Sequence, residues 1–196
     1  MRDVITADDV RGAPPGSELH AGAAAIVTPW ALEIAATRGV RIVLGGSSAV
    51  VIGADHGGVT LKDEIRKHLT ATGRSFRDLG THSADPVDYP DIAWSVARAL
   101  AAGEARFGIL VDAAGIGSCM AANKVAGIRA AACGDVASAR NAREHNDANV
   151  LTLGARFVDA ARAREIIDVF LTTQCLEERH LRRVRKITAI EQAYTR

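Results

Sequence analysis

From residue 49 onward, short apolar runs alternate with amphipathic stretches, and that alternation restricts the chain to very few architectures. The runs are "AVVIGAD" (49–55), "SFRDLG" (75–80), "FGILVD" (107–112), "IRAAAC" (128–133) and "VLTLGARFV" (150–158). Their length and β-branched content mark them as strands. The segments "TLKDEIRKHLTATG", "DIAWSVARALAAG", "GSCMAANK", "DVASARNAREH" and "AREIIDVFLTT" that follow them carry helical spacing. Strands separated by helices predict an α/β, Rossmann-like domain over 49–196, with a five-stranded parallel sheet of flavodoxin-type order and helices on both faces. A last amphipathic stretch, "RHLRRVRKITAIEQAY", has no strand after it and is expected to pack on this sheet or reach over a partner subunit.

Residues 1–44 form a separate block, a small N-terminal extension interrupted by Pro14-Pro15-Gly16. Thr28 followed by Pro29 predicts a capped short helix within it. The "GGSS" at 45–48 reads as a hinge.

Lys and Arg number 24 against 23 Asp and Glu, so the overall balance suggests neither a nucleic-acid nor a membrane-surface partner. An anionic ligand would have to be held by a local cluster. Cys119, Cys133 and Cys175 lack paired or metal-type spacing and read as free thiols of a reducing compartment. The start "MRDVITADDV" lacks a signal-peptide pattern, and no apolar run approaches the roughly 20 residues of a membrane span. A soluble, cytoplasmic protein is expected.

In open α/β sheets ligands bind beyond the carboxyl ends of the strands, where strand order reverses. That rule selects Asp55-His56-Gly57-Gly58 after the first strand and Asp112 with Gly115-Ile116-Gly117 after the third. The backbone N–H groups of a glycine turn opening a helix suit an anion or developing oxyanion, although such glycines serve packing as often. The cluster His145, Asn146, Asp147 and Asn149 stands just before the fifth strand and is expected at the same edge. Arg156, inside the fifth run, needs an anionic partner there, either a structural carboxylate or a phosphate. Arg179 and Arg183 are four residues apart, on one helical face, and suit a phosphate together, or form a solvated basic face. His82, Trp30 and Trp94 belong to no such group and read as packing or surface residues.

The segments "IGADHGGVTLKDEIRKHL", "DYPDIA", "GILVDAAGIGSCMAANKVAGIRAA", "SARNAREHNDANVLTLGAR" and "ERHLRRV" occur in order. Together, over about residues 49–194, they resemble ribose-5-phosphate isomerase B and the galactose-6-phosphate isomerase subunits. The resemblance implies metal-free aldose–ketose isomerisation of a phosphosugar through an enediolate, in a site shared between two subunits of a homodimer or dimer of dimers. By matching position it implies that Asp55, His56, Tyr89 and Asn146 contact substrate. Gly115, Ile116, Gly117 and Asn123 would hold the enediolate, and His145 would open the sugar ring. His56, Arg156, Arg179 and Arg183 would grip the phosphate, the last two from the neighbouring subunit.

Asp112 departs from the family pattern. Many members carry a base cysteine there, and a second branch places a glutamate where this chain has Ser118. The expectation is that Asp112 is the catalytic base, since a carboxylate is ionised at neutral pH without tuning. A carboxylate that instead binds its own loop would be a weak base. Cys119, inside the following helix, is expected to be inert. The changed wall leaves pentose, tetrulose and hexose phosphates open as substrates. A non-catalytic phosphosugar-binding or partner subunit and a scaffold protein are the competing classes. In the extension, "VITADDVR" and "VTPWALEIAATRGVRI" resemble a short module on some enzymes of bacterial microcompartments. That resemblance implies docking on a microcompartment or pathway partner through residues 1–44, against the alternative of a cap on the oligomer.

Overall fold

The computed structural model describes residues 4–21, 25–44 and 48–194. Its contacts divide the chain into two units, Met1–Ser47 and Ser48–Arg196. Residues 45–47 of the expected hinge lie outside the described residues, and Ser48 already belongs to a strand of the second unit.

The first unit runs β1 (Val4–Ile5), α1 (Ala7–Gly12), β2 (Glu18–Ala21), β3 (Ile26–Val27), α2 (Pro29–Arg38) and β4 (Arg41–Leu44). β1 pairs with β3 and β2 with β4, both parallel, so two β-α-β halves interlock. Each helix begins on a threonine. Thr28 accepts from the Ala31 N–H ahead of α2, as expected, and Thr6 forms a reciprocal capping box with Asp9 at α1. Ile5, Val10, Ala31, Ala35 and Val40 make a core of their own.

The second unit runs β5 (Ser48–Ala54), α3 (Val59–Ala71), β6 (Phe76–Asp78), α4 (Tyr89–Ala101), β7 (Ala105–Asp112), α5 (Ile116–Ala122), β8 (Ala130–Ala132), α6 (Val136–Asn146), β9 (Val150–Gly154), α7 (Ala160–Thr172) and α8 (Glu178–Tyr194). The strands form one parallel sheet of order β6-β5-β7-β9-β8. Alternate strand residues serve opposite faces. Val50 and Ile52 pack with Leu61, Ile65, Ile166 and Phe170 of α3 and α7. Val51, Leu110 and Val150 pack with Val96, Ala97 and Leu100 of α4 and Ala122 of α5. Burial on both faces is why these strands read as unbroken apolar runs.

The expected parallel α/β sheet is therefore present, with one difference in order. A flavodoxin-type sheet would set β8 beside β7, whereas here β9 takes that place and β8 forms the edge. The composition explains the exchange: β9, "VLTLG", is buried at every position, while β8 is three partly exposed alanines suited to an edge. The reversal between β5 and β7 is unaffected, because the chain leaves β5 for β6 on one side and returns to β7 on the other. β9 also ends earlier than the fifth apolar run suggested, at Gly154, and residues 155–157 form a turn. No helix among the described residues is long and apolar enough to cross a membrane.

Candidate functional site at the carboxyl ends of β5 and β7

β5 and β7 lie side by side, and the Asp55 N–H donates to Val111 O at 3.1 Å, which sets Asp55 next to Asp112. Both carboxylates are buried, at 8% and 4% exposure, yet their surroundings differ. One oxygen of Asp112 accepts the Ala114 N–H at 2.7 Å and the Gly115 N–H. The other accepts the Ser118 N–H at 3.0 Å and the Ser118 hydroxyl at 2.5 Å. Thr152 fixes the same turn from β9 by donating to Gly115 O at 2.6 Å. Burial alone would raise the Asp112 pKa. The Ser118 hydroxyl and the N–H groups of Gly115, Ser118 and Ala114 outweigh it and hold the carboxyl below its usual range.

The Gly58 N–H donates to Asp55 Oδ1 at 3.0 Å, and the Gly57 N–H also favours the carboxylate; no described residue is found donating to Oδ2. Burial and the neighbouring negative charge of Asp112 push its pKa up, against smaller opposing effects of Gly58, His56 and Gly57. Gly58 must be glycine, because a Cβ there would sit 2.3 Å from Val111 O.

Three other expected residues share this rim. His56 is exposed, its Nδ1 3.3 Å from the Val87 N–H nitrogen. Tyr89, at the start of α4, lays its ring over Gly117, where a Cβ would meet Cζ at 2.6 Å. Arg156 follows β9, its N–H donating to Ala113 O at 3.1 Å. It stands in a turn, exposed and not within a strand, so burial does not demand an anionic partner; its guanidinium has none among the described residues. Within the turn, the N–H groups of Ile116 and Gly117 remain without a partner among the described residues, since the first N–H groups of a helix have no intrahelical acceptor.

The remaining candidates lie elsewhere, and this corrects the expected placement. The segment 145–149 ends α6 and enters β9, so it stands at the amino end of that strand. Val150 is level with Gly108, and Gly154 is level with Asp112. Those four residues alone separate the two rims by about 13 Å. His145 accepts the Asn141 amide at its Nδ1, 3.1 Å away, and stacks on His180 of α8. Arg179 pairs with Glu177 at 2.5 Å, and Arg183 is exposed on the same helix. Asn146 is exposed, and its carbonyl accepts from Arg129 Nε at 3.1 Å. Asp147 and Asn149 are structural. Asp147 caps α6 and pairs with Arg129 and Arg143, and Asn149 bridges Arg129 N–H and Gly127 O.

The enediolate role expected of Asn123 meets the same obstacle. Asn123 closes α5 at the end away from Asp112, and its amide is already bonded to both Ala130 N–H and Ala130 O, at 2.8 and 2.9 Å. Among the described residues, no hydrogen bond, ion pair or ring contact joins the Asp55/Asp112 group to the His145/His180 group. The Cys119 Sγ donates to Ala130 O, and burial first, then the nearby charge of Asp112, raise its pKa.

Three residues that carry structural weight were given no role from the sequence. Ser118 completes the Asp112 shell. His180 sits between two noted arginines, with nothing local to link it to His145. Lys62 carried a signal: it falls with Ile65 and Leu69 on the apolar stripe of α3, and it is 1% exposed.

Residues 50–187 match the sequence profile described as Ribose/Galactose Isomerase. The chain belongs to the ribose/galactose isomerase family. Ribose-5-phosphate isomerase B of Escherichia coli is 47% identical over 143 residues, covering 73% of this chain and 96% of that protein. D-erythrulose-4-phosphate isomerase of Pectobacterium atrosepticum is 42% identical over 130 residues, 64% of this chain and 84% of that protein. Among solved structures, ribose-5-phosphate isomerase B of Clostridium thermocellum superposes with a TM-score of 0.73 at 46% identity, covering 74% of this chain and 99% of that one. The family match begins in β5, so the first unit lies outside it.

Proposed function

We propose that this chain interconverts an aldose phosphate and its ketose phosphate by metal-free proton transfer through an enediolate. Family membership supports the reaction class. The observation that carries the reading for this chain is the pair of carboxylates at adjacent ends of β5 and β7, with His56, Tyr89 and an Arg156 that has no ion-pair partner among the described residues on the same rim. A proton acceptor, polar groups for hydroxyls and a free cation for phosphate are the parts such a reaction needs. The Ile116 and Gly117 N–H groups suit the oxyanion of the intermediate.

In this reading His145, Asn146, Arg179 and Arg183 act on a substrate held by the partner subunit, because their own chain sets them at the opposite rim. Two antiparallel copies of the second unit would form two complete sites, so the working unit is a homodimer or a dimer of dimers. The substrate is of the ribose 5-phosphate/ribulose 5-phosphate type. A tetrulose phosphate is the second reading, favoured by the relative named for D-erythrulose 4-phosphate and by the small "DAA" wall at 112–114. The extension is read as an interaction or capping module, whether the enzyme works free in the cytoplasm or within a microcompartment.

The test is incubation in deuterated water with four-, five- and six-carbon sugar phosphates, following isomerisation and label uptake by NMR. Turnover with label at C1 or C2 is expected for one chain length. Tight binding without exchange across the set would instead support a phosphosugar-binding subunit.

A further inference from the structure

Two carboxylates end adjacent strands, and they are not equivalent. Asp112 has both oxygens filled by four donors from its own turn. To accept a proton it must give up at least one of these bonds, and the turn they shape is the one that faces the intermediate. Asp55 has Oδ1 held by Gly58, and its Oδ2 accepts no hydrogen bond from the described residues. Of the pair, only that oxygen can meet a substrate proton without dismantling the loop. The other nearby groups do not compete: His56 is turned to the Val87 backbone, and the Cys119 thiol donates to Ala130 O, its pKa raised by burial.

We propose that Asp55, and not Asp112, carries the proton between the two carbons, and that Asp112 is a positioning residue, the fixed anion that holds the 113–118 turn in shape. This rests on the isomerase reading above. In the aldose-to-ketose direction the Asp55 carboxylate takes the C2 proton. The C–H electron pair becomes the C1–C2 double bond, and the C1 carbonyl pair moves to O1, which takes its proton from the C2 hydroxyl. The C2 carbonyl then forms from the oxygen left at C2, and the double-bond pair takes the proton back from Asp55 at C1. Nothing is oxidised or reduced overall. Two carboxylates whose surroundings separate their proton affinities are the usual basis for dividing such roles, and here the one with the higher affinity is the one whose Oδ2 accepts no hydrogen bond from the described residues.

The first arm of the test measures deuterium exchange and turnover in the full-length protein. A wild type without either overturns the isomerase reading and this proposal with it. Given an active wild type, Asp55→Asn is expected to lose more than 1,000-fold in exchange, with phosphosugar affinity changed less than tenfold. Exchange within tenfold of wild type would overturn the proposal alone. Asp112→Asn is expected to keep measurable exchange; its complete loss in a folded, substrate-binding variant would overturn the assignment.

A second arm needs no variant. The wild type is treated with the 1,2-epoxide of a pentitol 5-phosphate, whose ring a carboxylate oxygen opens to leave an ester, the alkoxide taking a proton from water. Trypsin places Asp55 and Asp112 on different peptides, 42–62 and 107–124. Ester on Asp55 is expected; ester on Asp112, or none on Asp55, overturns the proposal.

Discussion

The imidazole of His145 lies flat on that of His180, ring centroids 4.1 Å apart and planes 9° from parallel. His180 is 3% exposed, and neither of its ring nitrogens makes a hydrogen bond among the described residues. Burial first, then the charges of His145 and Arg179, keep its pKa below the ordinary histidine value. A group whose folded pKa is lowered contributes stability that is intact above its unfolded value, about 6.5, and is lost as pH falls through the folded value. The α6–α8 contact should therefore loosen below about pH 6.5. Histidine Cε1–H shifts in an NMR titration should show His180 titrating below free histidine, and His145→Ala should move it upward.

Asp112 has the same sign with a different window. Its folded pKa is below the unfolded carboxylate value of about 3.9, so its contribution is intact above about pH 4 and disappears as pH falls through the folded value. Ser118→Ala, which removes the 2.5 Å hydroxyl bond, should cost about 1–2 kcal/mol in urea unfolding at pH 7. The difference should shrink at pH 3.

The pH profile of kcat separates the two carboxylates. With Asp55 as base, the acid limb should lie above the usual carboxylate range, because Asp55 is buried beside the Asp112 charge. Asp112→Asn removes that charge and should move the limb to lower pH while slowing turnover. An unmoved limb would dissociate the two residues.

Gly117→Ala places a methyl group 2.6 Å from Tyr89 Cε2 and Cζ. The ring can swing outward, since Tyr89 is 41% exposed, so the fold should persist while the pocket wall is displaced. KM should rise about tenfold, an effect of about 1.4 kcal/mol. Tyr89→Ala combined with Gly117→Ala should add little.

Lys62 donates to Asp78 at 2.8 Å and to Thr81 O at 2.6 Å from within the core. Lys62→Met leaves the nearly buried Asp78 carboxylate paired with the half-exposed Arg66, 3.2 Å from its other oxygen, and should cost about 3 kcal/mol, read from the urea midpoint. Replacing Asp78 by Asn as well should recover part of the loss, as the weakly paired charge goes.

The sheet was legible because its strands are buried on both faces and the helices between them are amphipathic, so periodicity alone separates the two. The order of the last two strands was not legible. It depends on which strand tolerates an edge, a comparison of "AAA" with "VLTLG" that no local pattern makes. The helix cap at Thr28 was visible as a short motif, but the strand pairing around it joins residues more than twenty apart. At the site, Asp55, His56 and Asp112 followed from position relative to strand ends, whereas Tyr89 came from the family resemblance and Arg156 was noted as a charge inside the fifth run. The rim of His145 did not follow, because being just before a strand means standing at its amino end, opposite the ligand crevice. Asp112 shows a second limit. Its residue type admits both a base and a loop anchor, and only the directions of the Ala114, Gly115 and Ser118 donors distinguish them.

The separation of His145 from Asp112 by the length of the sheet bears on inheritance as well as on chemistry. If each working site draws one half from each chain, two alleles damaged in different halves, one at Asp55 and one at His145, can compensate each other in a mixed pair. One of the two sites then collects both lesions and the other neither. Damage confined to a single half offers no such escape, so substitutions in this enzyme should fall into two complementation groups drawn by the two rims of one sheet.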